Sequence, residues 1–93
     1  MLTIEAVSEN LSLSENEVIQ RGLRSLLLAE LSRSEAEIAH LRERYNLLTA
    51  DILKQAIAKG TIQAHPAWED YIVWQNTLET ITELSHLLEL DYA

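Results

Sequence analysis

The chain has no cysteine and no phenylalanine, one proline and two glycines among 93 residues. Without cysteine there can be no disulfide, no thiolate metal site and no cysteine nucleophile. That usage fits a reducing cytoplasm. With so few Gly and Pro, tight turns are scarce, and a multi-stranded β fold is hard to build. No purely apolar run exceeds four residues, as in Leu26-Leu27-Leu28-Ala29, which is far too short to span a bilayer. The N-terminal residues lack a basic stretch followed by an apolar one, so no export signal is expected.

What is present points to helices. Apolar residues are 47% of the chain, enough for a folded domain. At this length one thin-cored domain over 1–93 is expected. Net charge is −8 and uneven. Residues 1–59 hold nine acids and all seven bases, whereas 60–93 hold Glu69, Asp70, Glu79, Glu83, Glu89 and Asp91 with no Lys or Arg. The second segment repels phosphate and attracts a basic protein, although the same charge also serves solubility.

Thr3 can cap a short helix to about Asn10, so residues 1–13 read as a short helix and turn. Ser14 with Glu17 forms a capping box, and Leu13 with Val18 a hydrophobic staple, which start a long helix over 14–48. Leu27, Leu31, Ser34, Ile38, Leu41, Tyr45 and Leu48 follow its 4-3 stripe. Ser32 and Ser34 could kink it, but the stripe keeps its phase across them. Thr49 caps a second short helix that Lys59 and Gly60 close, with a linker following, over 49–65. Pro66 then opens a long acidic helix over 66–90. Its stripe is Tyr71, Trp74, Leu78, Ile81, Ser85 and Leu88.

Run antiparallel, the two stripes match when Tyr45 faces Trp74, Leu41 faces Leu78, Ile38 faces Ile81 and Ser34 faces Ser85. The expectation is an all-α fold: an antiparallel helical hairpin of two long helices with two short accessory helices. Leu23, Leu26, Leu28, Leu84 and Leu87 exceed what the pair can cover. The first short helix, through Ile4, Val7 and Leu11, can take some of them. The rest predict a homodimer interface or a partner groove.

Catalytic and metal signatures are missing. His40, His65 and His86 have no metal-ligand spacing, and the chain has no nucleophile elbow, phosphate loop or dinucleotide fingerprint. No cofactor, metal or enzymatic activity is expected. Trp74 and Tyr45 fall in the core stripe. Trp68 lies off it beside Glu69 and Asp70, where it can be core, cap or interface anchor, and Tyr92 is near the end. Residues 1–24 have a helix-turn-helix silhouette, which makes a DNA-binding regulator the alternative reading. Yet the second helix opens with Glu15 and Glu17, so direct nucleic-acid contact is not expected. An acidic amphipathic helix also suits no membrane surface.

The stretch Leu13-Ser14-Glu15-Asn16-Glu17-Val18-Ile19-Gln20-Arg21-Gly22-Leu23-Arg24-Ser25-Leu26-Leu27 resembles small prokaryotic antitoxin proteins. Its capped helix is similar to the second helix of ribbon-helix-helix antitoxins. Ala67-Trp68-Glu69-Asp70-Tyr71 resembles the tail of uncharacterised cyanobacterial and archaeal proteins often placed beside toxin genes. Ribbon-helix-helix proteins read DNA with a basic N-terminal strand, and residues 1–10 contain no base and read as helix. The resemblance therefore implies toxin neutralisation more than operator binding. The expected function is an antitoxin-like, non-catalytic protein-binding module. Trp68, Glu69, Glu79 and Glu83 are the candidate contacts to a basic, toxin-like protein. A plain structural dimer or assembly adaptor is a third reading.

Overall fold

The computed structural model describes residues 1–90; Asp91 and Tyr92 lie outside the described residues. The fold is all-α, with no strand among the described residues. Four helices follow one another: α1 (Ile4–Leu11), α2 (Glu15–Tyr45), α3 (Ala50–Lys59) and α4 (Ala64–Leu90).

Three helix starts share one local cause. The hydroxyls of Thr3, Ser14 and Thr49 accept from the backbone N–H three residues on, at Ala6, Glu17 and Ile52. Each satisfies a donor that the first helical turn leaves unpaired. α2 crosses Ser32 and Ser34 as one helix. It stops at Tyr45, three residues short of the expected end at 48, because Asn46 turns left-handed (φ 53°). Asn adopts that conformation more readily than most residues with a Cβ. Gly60 (φ 77°) ends α3, where a Cβ would be strained. At the start of α4, His65 is non-helical, and regular helix follows from Pro66.

α2 and α4 pack along each other in opposite directions. Arg44, in the last turn of α2, meets Asp70, while Glu37 meets Thr77 further along α4. The register differs from the one expected. Tyr45 bonds Asp70, one helical turn before Trp74, its expected neighbour. Leu78 is consequently exposed rather than set against Leu41, and Thr77 is buried. Polar partners permit this. The Thr77 hydroxyl donates to the Val73 carbonyl at 2.8 Å and lies 3.3 Å from a Glu37 carboxylate oxygen. A hydroxyl bonded within its own helix can be buried at little cost. Ser34 is buried and Ser85 half-buried.

The core lies where α3 crosses this pair. Ile38, Leu41, Ala50, Leu53, Ala67 and Trp74 are buried together. Tyr45, Leu47, Ile57, Ile62, Tyr71 and Ile81 pack around them. Leu53 and Trp74 are the largest side chains fully enclosed. Each such burial stabilises the fold by roughly 1.5–3 kcal/mol relative to exposure. The molecule is long, 60 × 31 × 16 Å, with the core confined to the α3 end.

Candidate protein-binding surface

The first turns of α4 are fixed to α2 by a polar latch. Arg44 donates to Asp70 at 2.9 Å, and the Tyr45 hydroxyl donates to the same carboxylate oxygen. His40 lies 3.3 Å from the Arg44 guanidinium. The Tyr45 hydrogen bond, with the bond and charge of Arg44, lowers the Asp70 pKa against the opposing effect of burial. Burial first, then the bond to Asp70, raises that of Tyr45. Asp70 is thus committed internally and is not part of a partner surface.

The remaining acids of α4 face outward. At roughly 100° per residue, Trp68, Ile72, Glu79 and Glu83 fall on the side of α4 opposite buried Ala67, Trp74 and Thr77. All four are exposed, and Glu69 and Asn76 border them. The stripe from Trp68 to Glu83 spans about 22 Å at the helical rise. The four expected contacts, Trp68, Glu69, Glu79 and Glu83, lie on one broad side of α4, and Asp70 lies apart from them. Ile72 was missed. It shares the spacing of Trp68 and Asn76, so the periodicity held the signal.

Trp68 is 42% exposed and held in place. Its ring stacks on Tyr71 with centroids 5.3 Å apart and planes 25° from parallel. The Lys54 ammonium lies 5.8 Å from the centre of the Tyr71 ring, tying the pair to α3. Such stacking restricts the indole before any partner arrives, which lowers the entropy cost of using it as an anchor. Glu69 pairs with His65 at 2.8 Å. Glu79 and Glu83 make no ion pair among the described residues.

The expected dimer residues lie at the other end. Leu23, Leu26, Leu28 and Leu87 are exposed and Leu84 is half-buried. Leu23 and Leu87 line one groove between α2 and α4. Leu28, two residues from Leu26, projects to a different side of α2 and does not join them. α1 packs on α2 with Val7 half-buried and Ile4 and Leu11 exposed, and Leu23, Leu26, Leu28 and Leu87 stay exposed beside it. Among the described residues no cluster of three His, Cys, Asp or Glu could hold a metal ion. No helix among them is long and apolar enough to cross a membrane.

The chain belongs to the uncharacterized protein MJ0235 family, whose model matches residues 1–90. No curated protein and no solved structure matches it.

Proposed function

We propose that this chain is a non-catalytic, antitoxin-like protein-binding module of the cytoplasm. In this reading α2 and α4 form a helical hairpin, with α1 and α3 as accessories. It presents the outer side of α4 to a basic, toxin-like protein. The carrying observation is the stripe of Trp68, Ile72, Glu79 and Glu83 on one side of a helix latched to the core by Asp70. The segment 60–93 contains no Lys or Arg to oppose a cationic surface. Exposed carboxylates steer a cationic partner, while an exposed, pre-oriented Trp supplies apolar contact.

The DNA-binding alternative is disfavoured by the start of α2. Its first turn carries Glu15 and Glu17, and Glu17 lies within 4.0 Å of Arg21. Phosphate would meet acids first.

The test is affinity capture of the product of the adjacent gene. Wild type is compared with a variant carrying Gln at Glu69, Glu79 and Glu83. Capture by wild type at low salt, weakened in the variant and at high salt, supports the reading. Failure of wild type to bind, or equal capture by both proteins at both salts, overturns it.

A further inference from the structure

The two ends of the molecule are built differently. At the α3 end three helices enclose a core. At the other end, residues 15–33 of α2 contain no buried residue, nor do those of α4 beyond Thr77. Yet this half is leucine-rich. Leu23, Leu26 and Leu87 are 53%, 58% and 49% exposed. Between the helices runs an open groove of about 490 Å³, lined by Leu23, Leu27, Leu87 and Leu88 among others. Ile19, Leu23 and Leu26 follow helical spacing along one side of α2, so the surplus is a continuous strip.

The exposed area is large enough to demand an occupant. A compact monomer of 10.6 kDa exposes about 5,500 Å². This chain exposes 6925 Å², an excess of about 1,400 Å² over that scaling. A stable interface takes roughly 800 Å² from each partner. The radius of gyration is 19.1 Å, against about 12 Å for a compact domain of this length.

We propose that a second copy of this chain covers the strip, the two-helix halves of both copies forming a four-helix bundle. Two antiparallel helices cannot enclose apolar stripes on their own, and two more with the same stripes complete such a bundle. Charge selects the pairing. Residues 15–33 of α2 carry Arg21, Arg24 and Arg33 beside Glu15, Glu17 and Glu30. The described part of α4 beyond Thr77 carries Glu79, Glu83 and Glu89 and no Lys or Arg. Placing α4 on α4 sets acid against acid. Placing α2 of each copy on α4 of the other sets mixed charge against acid, and a two-fold axis repeats that contact twice. The interface centres on Leu23 and Leu87, away from Trp68; it borders Glu83, and its readout, self-association of the chain, is separate from capture of a partner protein.

Sedimentation equilibrium of the full chain at micromolar concentration tests this, alongside a variant carrying Leu23→Gln and Leu87→Gln. A wild-type dimer and a variant monomer of unchanged helicity are expected. A wild-type monomer, or a variant that remains dimeric, overturns the proposal. Because the chain has no cysteine, single cysteines at Leu23, Leu87 or Leu48 give a second readout that needs no polar residue in the strip. Maleimide labelling should slow several-fold with rising protein concentration at Leu23 and Leu87, and not at Leu48. Concentration-independent labelling at all three positions would refute it.

Discussion

Arg44 and Asp70 join the last turn of α2 to the first turns of α4 at 2.9 Å, and the Tyr45 hydroxyl shares the same carboxylate oxygen. Two donors converging on one oxygen stabilise the ionised carboxylate. The folded-state pKa of Asp70 is therefore lowered, chiefly by the Tyr45 bond. A lowered carboxylate pKa contributes stability that is fully present above the ordinary value of about 3.9 and is lost as pH falls through the folded value. Wild type should lose stability on acidification below about pH 4, and Asp70→Asn should remove part of that dependence while lowering the neutral-pH melting temperature. Tyr45 works in the other direction. Its raised pKa contributes stability up to the ordinary tyrosine range, and this is lost as pH rises through the folded value. Urea melts across pH for wild type, Asp70→Asn and Tyr45→Phe measure both limbs.

The core at the α3 end should carry most of the monomer's stability. Trp74 is 1% exposed and Leu53 fully buried. Replacing Trp74 by Ala should cost about 3–5 kcal/mol, and Leu53→Ala about 2–5 kcal/mol. For a chain this small either loss approaches the whole stability of the fold. Leu48→Ala, at a residue 73% exposed, should change it by less than about 0.5 kcal/mol. Chemical denaturation followed by Trp fluorescence and by circular dichroism measures each, with Leu53→Ala keeping both indoles.

The register of α4 on α2 predicts an inverted ranking of two leucines that the sequence treats as equals. Leu41 is 4% exposed and Leu78 is 38% exposed. Leu41→Ala should cost about 2–5 kcal/mol. Leu78→Ala should cost less, about 1–2 kcal/mol, since more than a third of its surface stays in water. Equal losses in denaturant midpoint would restore the register in which the two leucines face each other.

Helix starts were legible because their cause is local. Thr3, Ser14 and Thr49 each carry the hydroxyl that the first turn needs, and Gly60 permits the turn that ends α3. The register was not legible. Two stripes of 3-4 spacing align in several registers one turn apart, and apolar burial alone separates them weakly. The deciding contacts are polar and distant in sequence: Arg44 and Tyr45 with Asp70, and Glu37 with Thr77. Thr77 falls outside the expected stripe, because its bond to Val73 is not visible in the spacing. The end of α2 was set too late because the Leu48 spacing continued the stripe, whereas Asn46 turns the chain. At the candidate surface the exposed acids were legible from charge. The commitment of Asp70 to the latch was not, since it depends on the register.

The outer side of α4 should divide its labour between rate of encounter and lifetime of complex. Glu79 and Glu83 are exposed and make no ion pair among the described residues, so their field reaches solvent. Charges of this kind act over a Debye length of about 8–10 Å at moderate salt, and they accelerate encounter more than they prolong binding. Trp68 is stacked on Tyr71 and half-exposed, the setting of an apolar anchor whose loss speeds dissociation. Surface plasmon resonance on the complex with the adjacent gene's product should therefore separate two variants. Gln at Glu79 and Glu83 should lower the association rate and flatten its salt dependence, with the dissociation rate little changed. Trp68→Ala should raise the dissociation rate by about tenfold or more, matching a loss above 1.4 kcal/mol, and leave the salt dependence of association intact. If both variants change the same rate constant, charge and anchor do not act separately, and the division argued from the stripe fails.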